Sequence, residues 1–524
     1  MKRILLIGLI ALSLIGIQAQ DRIMLITDPH VLAPSLVEPG SAFDEMMTGQ
    51  RKMIDLSASV WQALIDTAML YKPELVLIPG DLTKDGELES HTLVAGSLQK
   101  LREAGINVLV IPGNHDIGGK AYSYIGDETF PTETLANENW ESTYPWVYEQ
   151  AIAKDEDSHS YAAEPFAGVT VLAIDGAKND AEVGNLSDKT LAFVLAQADS
   201  AVAKGNMIVA MAHWQILEHF DQQGTLERAC RFKNADDLRD SLMAHGVHLV
   251  LTGHFHVNGI TTYRTPGAEK VDSLVEITTG SPITYPCPYR WLMLSENRAD
   301  VQVETAFVES LPEQDNMHQY SREWMSEHAT NMIPQLSLRA WHKIENNMDL
   351  VAEMFGDNIA AMLQECIPAT DSAKIAMVQK HFGSTVVELY LLHSDGNEPE
   401  YPEGDSLAQA LYDGMESMMH EMTDAKMDNM IYRNVQKLLI AAAKDLAQEP
   451  VQSLVEDKTQ WKQKEDADRT DDLHLTLTVN KPRGDQAIEN TGSPEVSTYK
   501  FIQEGKLYIR RGEQLFDSYG RQVR

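Results

Sequence analysis

Five short apolar runs mark the first half of the chain, at residues 23–26, 75–78, 108–111, 207–211 and 248–251. Each is too short for a helix and dominated by β-branched or large aliphatic residues, the texture of strands buried on both faces. Between several of them, 54–71 and 186–203 carry apolar residues at three- and four-residue spacing, which predicts amphipathic helices. Alternating strands and helices predict a layered α/β fold, in which ligands collect outside the carboxyl ends of the strands. Residues 169–175, 274–278 and 301–307 read as further strands of the same domain.

Beyond residue 310 the texture changes. Helix-forming residues dominate 318–448, broken at Ile367-Pro368 and across 395–399. We therefore expect a first domain over 21–310, a helical second domain over 311–456 and a β-containing segment over 457–524. In that last segment Leu473, Leu475, Leu477 and Val479 alternate with polar residues as a half-buried strand, and 505–510 with Leu515-Phe516 suggest a terminal hairpin. Met415, Met418, Met419 and Met422 fall at helical spacing and are expected to pack between helices, because methionine fills irregular apolar gaps. No internal repeat is visible.

Composition adds constraints. At 524 residues with 43% hydrophobic positions, the chain exceeds what one core usually serves. Lys and Arg total 43 against 78 Asp and Glu, a formal charge of −35. Such a surface repels polyanions, so no nucleic-acid polymer is expected as a partner. Met1-Lys2-Arg3, an apolar run over 4–17 and Gln18-Ala19-Gln20 predict a signal peptide over 1–20 and export to the periplasm or outside. An uncleaved anchor is the less favoured reading. No later stretch reaches the roughly twenty apolar residues of a transmembrane helix, so no membrane span is expected. Cys230, Cys287 and Cys366 lack metal-ligand spacing and cannot form a disulfide framework; one bridge stays open.

The candidate chemistry sits at the strand ends. The first run delivers Thr27-Asp28-Pro29-His30, the second Gly80-Asp81, the third Gly113-Asn114-His115-Asp116, the fourth His213 and the fifth Gly253-His254-Phe255-His256. Any one block alone reads as a cap or a structural histidine. Their succession, with glycine beside three of them to let the backbone turn, brings Asp28, His30, Asp81, Asn114, His213, His254 and His256 toward one crevice. Two carboxylates, one amide oxygen and four imidazoles suit transition metals such as Mn, Fe or Zn. Seven ligands exceed one tetrahedral ion and suit two ions sharing a carboxylate. His115, directly after a ligand, is the candidate general acid, with Asp116 expected to orient its imidazole. Asp175 reads as a cap more readily than as a site residue. In 284–290, Tyr285 or Arg290 could reach a phosphate, or the stretch is a proline-stiffened structural loop. Cys287 receives no nucleophilic role, and His393 reads as a loop residue.

The order Asp-x-His, Gly-Asp, Gly-Asn-His-Asp, His, Gly-His-x-His resembles the calcineurin-like metallophosphoesterase family over roughly residues 21–310. The resemblance implies four layers, α-β-β-α, with two sheets face to face. It also implies that Asp28, His30 and His256 hold one metal, that Asn114, His213 and His254 hold the other, and that Asp81 bridges them. The segment 80–86 with 113–116 is similar to the branch containing cyclic-nucleotide phosphodiesterases. Other members commonly place His-Pro at the fourth block, where this chain has His213-Trp214-Gln215, so a different substrate rim is expected.

Two such ions can acidify a bridging water, clamp phosphoryl oxygens and neutralise the leaving oxygen. The expected activity is hydrolysis of a small-molecule or lipid-head-group phosphoester, with that hydroxide as nucleophile and Asn114 also touching substrate. A diester is preferred, because His115 suits a poor alkoxide leaving group. A broad phosphomonoesterase is the main alternative. A non-catalytic metal-binding scaffold is the other.

Overall fold

The computed structural model describes residues 21–177, 183–220, 223–226, 228–265, 273–346, 348–396, 404–424, 433–434, 436–441, 443–444, 451, 474–478, 498–503, 506–511 and 514–517. The expected signal peptide lies outside them. In chain order the strands begin with β1 (Asp21–Leu25), β2 (Leu75–Pro79), β3 (Asn107–Ile111), β4 (Tyr122–Ile125), β5 (Glu128–Pro131) and β6 (Ala151–Lys154). They continue with β7 (Tyr161–Ala163), β8 (Val169–Ile174), β9 (Met207–Ala212), β10 (Leu249–Thr252), β11 (Gly259–Arg264) and β12 (Ser273–Thr278). The last are β13 (Pro288–Leu294), β14 (Asp300–Phe307), β15 (His474–Thr478), β16 (Thr498–Gln503), β17 (Lys506–Arg511) and β18 (Gln514–Asp517).

Six strands form one mixed sheet in the order β15-β14-β13-β1-β2-β3, and seven form a second in the order β11-β12-β10-β9-β8-β7-β6. The strands that carry the candidate ligands run parallel: β1 beside β2, β2 beside β3, and β9 beside β10. Parallel pairing puts their carboxyl ends on one edge of each sheet, which is why the sequence blocks that follow them can meet.

The four expected layers are present. One apolar cluster joins Ile23, Leu25 and Val108 of the first sheet to Val171, Val209 and Leu251 of the second, so the sheets pack face to face. Alternation does the rest, since successive strand residues face opposite sides. Val171 points into that core, while Leu172, Ile208 and Val250 point outward against Val194 and Ala198 of the helix Asp188–Lys204 and Leu242 of the helix Ala235–Ala244. On the far side, Trp61 and Leu64 of the helix Ser57–Tyr71 and Leu98 of the helix Leu88–Glu103 cover the first sheet.

Beyond the sandwich come helices Met317–His328, Ile333–Asn346, Met348–Phe355, Asp357–Gln364, Asp371–Asp395 and Gly404–Thr423. Thr370 caps the helix Asp371–Asp395 by accepting from Ala373 N at 3.3 Å, and Gly396 ends it at φ 80°, a conformation glycine adopts without strain. This helical region rests on the sandwich. Met325, Ala329, Val387 and Leu391 pack on Tyr285, and Asn258 Nδ2 donates to Ser394 O at 3.1 Å.

Two expectations change here, and that for the methionine row holds. His393 belongs to the last turn of a helix, buried with its ring 5.5 Å from that of Phe220, not to a loop. The helix runs further than expected because His393, Ser394 and Asp395 are needed to dock it. β15 pairs antiparallel with β14, so the division at 456/457 would separate a strand from its own sheet. Its alternation was readable, but the partner lies 174 residues upstream at Gln302↔Thr476, beyond any local pattern. The methionine row is half-buried, with Met419 packed near Leu363 and Leu439.

Contact density divides the chain into two units, Met1–Gly484 and Asp485–Arg524. The second holds an antiparallel sheet in which β17 and β18 form the expected hairpin and β16 adds a third strand. Among the described residues no helix is long and apolar enough to cross a membrane.

Candidate metal centre

The loops after β1 and β2 are stitched together by Asp28 N to Gly80 O (3.2 Å), His30 N to Asp81 O (3.0 Å) and Val31 N to Leu82 O (2.9 Å). The backbone of the ligand loops is unusual. Asp28 (φ 51°), His30 (40°), Asp81 (52°), His254 (65°) and His256 (60°) all sit in the left-handed region. Each such non-glycine residue costs about 1–3 kcal/mol and persists only where its surroundings over-determine it, so five among seven candidates mark a built site. The glycines act in two ways. Gly80 takes φ 97°, whereas Gly113 and Gly253 are needed for space: a Cβ there would stand 2.2 Å from Asp81 Oδ1 and from Asp28 Oδ2.

Six of the seven side chains meet in two clusters that share Asp81, and Asn114 adjoins the second through His213. One set is Asp28, His30, Asp81 and His256; the other is Asp81, His213 and His254, each with ligand atoms within 4.8 Å of one another. Asp81 Oδ2 lies 3.5 Å from His30 Nε2 and 3.3 Å from His213 Nε2, between the clusters. In the first, His30 Nε2 and His256 Nε2 are 3.1 Å apart, and His256 Nε2 is 3.4 Å from Asp28 Oδ1. In the second, His213 Nε2 is 2.9 Å from Asn114 Oδ1 and 3.0 Å from His254 Nδ1.

The donor chemistry fits cations. His213 Nδ1 faces the carbonyl of Pro79 at 2.9 Å and His254 Nε2 faces that of Ala229 at 3.1 Å. Each of those nitrogens therefore donates its proton outward, which turns the lone pair of the other nitrogen inward. His213 Nε2, His254 Nδ1, Asn114 Oδ1 and Asp81 Oδ2 then converge as acceptors. Carbonyl partners behind ligand imidazoles are what orients them in metal sites.

Electrostatics agrees. Burial and the neighbouring Lys52 hold His30 well below the ordinary histidine range, burial and His213 bring His254 down to about 3, and burial lowers His256. These three imidazoles are neutral, the form that binds metal. Burial alone would lower His213 too, but Asp81 and Asp28 raise it to about 9, so without a cation the positive charge beside Asp81 is a proton on His213.

His115 is half-buried next to this centre, its ring centroid 4.8 Å from that of His30 and its backbone N donating to Asp81 Oδ1 at 2.8 Å. Its orienting carboxylate is not Asp116. His115 Nδ1 lies 3.0 Å from Asp85 Oδ1, and Asp85 is held ionised by His115 and Lys84 against the effect of burial. Asp116 is fully buried and accepts from Thr83 N (2.9 Å), Thr83 Oγ1 (3.0 Å) and Gly113 N (2.8 Å). It braces the β2 loop against the β3 loop; adjacency in sequence points its side chain away from its neighbour's. Asp85 stood in the 80–86 block, but only the fold shows that the loop curls back toward His115.

The 284–290 stretch is structural. Tyr285 is buried, with its hydroxyl donating to Asp395 Oδ1 at 2.9 Å, and Arg290 is buried in β13 and donates to Thr278 O at 3.2 Å. Asp175 accepts from His159 N and Ala177 N at 2.9 and 2.7 Å, the capping role expected. Cys287 is buried, and burial pushes its thiol up to about 12, in line with no nucleophilic role. Sequence reading missed Lys52, half-buried with Nζ 3.4 Å from His30 Nδ1 and its ammonium brought down to about 8 mainly by burial. It follows no strand, so no strand-end pattern flags it.

Two sheets packed face to face under helices, with clustered Asp, Asn and His at the parallel strand ends, define an α/β domain whose donor set suits a metal ion. Residues 21–258 match the calcineurin-like phosphoesterase family. No curated protein matches the chain in sequence. Among solved structures it is similar to a dimetal phosphatase from Danio rerio, at 13% identity and a TM-score of 0.40, covering 54% of this chain and 95% of that one. It is also similar to purple acid phosphatase PPD1 from yellow lupin (Lupinus luteus) seeds, at 12% identity and a TM-score of 0.33, covering 56% of this chain and 52% of that one.

Proposed function

We propose that this chain hydrolyses phosphoesters, with a preference for diesters, at a centre of two metal ions. The observation that carries the reading is the position of Asp81 Oδ2 between two clusters of side chains that can ligate a metal. Asp28, His30 and His256 would hold one ion, Asn114, His213 and His254 the other, and Asp81 would touch both. A divalent pair bound there supplies Lewis acidity, making water acidic enough to attack at neutral pH and neutralising charge on the phosphoryl group.

The remaining chemistry belongs to the protein. Asp85 accepts from His115 Nδ1, which leaves Nε2 to carry the proton passed to the leaving oxygen. Asp81 Oδ1, by accepting from His115 N, fixes the backbone of that acid to the centre. Asn114, half-buried and 2.9 Å from His213 Nε2 through its Oδ1, would also touch a phosphoryl oxygen. The amino-terminal segment, basic and then apolar, supports action outside the cytoplasm.

Turnover of bis-p-nitrophenyl phosphate against p-nitrophenyl phosphate, on protein of known metal content, tests the ester preference. We expect the higher kcat/KM with the diester; a monoester preference would favour the broad phosphatase reading. Asp85→Asn is expected to lower diester turnover roughly tenfold, the value of one charge-assisted hydrogen bond, with metal content unchanged. Steady-state kinetics beside metal analysis checks this.

A further inference from the structure

Residues 50–53 form a turn between the helix Ser41–Thr48 and the short 3-10 segment Ile54–Leu56. Arg51 and Lys52 are both half-buried there, and Lys52 Nζ reaches the ring of His30 at 3.4 Å. Among the described residues neither cation has a carboxylate ion-pair partner; Arg51 contacts Tyr390 and Lys52 contacts His30. This occurs in a chain with 78 acidic side chains against 43 basic ones. A half-buried cation beside residues that could gather metal is unfavourable twice: it gives up hydration for a single ring nitrogen, and it repels the metal. An anion shared with the metal would offset both.

The turn is not free to swing away. Trp324 Nε1 of the helical region donates to Gln50 O at 3.2 Å, and Met53 N donates to Ile283 O at 2.8 Å. The Arg51 guanidinium lies over the ring of Tyr390, 5.2 Å from its centroid, and donates to its hydroxyl. Tyr390 in turn stands on the helix Asp371–Asp395, whose end is fastened to the sandwich through Ser394 and Asp395. Three of the turn's four residues are thus pinned, two of them by the helical region, while the fourth turns its ammonium to His30.

We propose that Lys52 is a substrate contact, an anion subsite that takes a phosphoryl oxygen of the ester held at the His30–His256 cluster. The helical region, through Trp324 and Tyr390, is the brace that holds it there. Arg51 and Tyr390 are positioning residues. The proposal rests on reading the centre as a phosphoesterase site, and it gives the second half of the chain a part in that site.

The test is calorimetric titration of inorganic phosphate into metal-analysed full-length protein, comparing wild type with Lys52→Met, Lys52→Arg and Tyr390→Phe. Lys52→Met is expected to weaken phosphate roughly tenfold or more with metal content unchanged, Lys52→Arg to retain most of the affinity, and Tyr390→Phe to lose a smaller part. In kinetics Lys52→Met should raise KM for bis-p-nitrophenyl phosphate more than it lowers kcat. Unchanged phosphate affinity in Lys52→Met overturns the subsite. So does loss of metal in both Lys52 variants, which would assign the lysine to supporting His30. Wild-type protein that binds phosphate through Lys52 yet hydrolyses no ester would instead defeat the phosphoesterase reading and leave the subsite standing.

Discussion

Asp81→Asn is expected to lose metal and to lower diester turnover by roughly a thousandfold or more, since a metal pair supplies several kcal/mol of transition-state stabilisation. The substitution keeps the size of the side chain and one oxygen but removes the charge that both clusters share. Asp81 Oδ2 stands 3.5 Å from His30 Nε2 and 3.3 Å from His213 Nε2, and Asp81 is the carboxylate common to both clusters. Its position is over-determined: φ 52° at Asp81, φ 97° at Gly80, and a Gly113 whose missing Cβ leaves room for Oδ1. Metal analysis beside steady-state kinetics checks the expectation. Full metal content with full activity would remove Asp81 from the centre.

His115→Ala has the second largest expected effect, and its signature is different. Positioned acid catalysis is worth about 10²–10⁴-fold, and the His115 side chain belongs to neither cluster, so turnover should fall by that range while metal content stays. The loss should shrink for esters with good leaving groups, which need less proton donation. An ester series of graded leaving-group acidity, run on wild type and His115→Ala, checks this. Equal losses across the series would reduce His115 to a structural neighbour of His30.

The two variants separate metal binding from proton transfer, and the sequence was legible in unequal measure for the two. The strand-end blocks were readable because buried strands are short and apolar and their chemistry follows at once; Asp28 after β1 and His213 after β9 needed no tertiary information. His115 was readable as the neighbour of Asn114. Its orienting partner was not. A side chain adjacent in sequence points elsewhere, and Asp85 reaches His115 only because Asp116 draws the β2 and β3 loops together through Thr83 and Gly113.

What escaped altogether was long-range. β15 closes the edge of the first sheet from 174 residues beyond its partner positions. Lys52 is placed by Trp324 and Tyr390, which lie some three hundred residues further on, with the Arg51–Tyr390 contact spanning 339. The aromatic and basic residues of 284–290 drew attention because they follow the last ligand block, yet both Tyr285 and Arg290 are buried, the one bonded to Asp395 of the helical region and the other to the Thr278 carbonyl. Proximity in sequence to a site is weak guidance once the chain has entered a strand whose side chains alternate between core layers.

The most direct test of the centre is to strip the protein with a chelator and titrate Mn²⁺ back while following hydrolysis of bis-p-nitrophenyl phosphate. The clusters joined at Asp81 predict no turnover in the stripped protein and a rise that levels off at two equivalents of metal. Turnover that survives stripping, or that is complete at one equivalent, would contradict them.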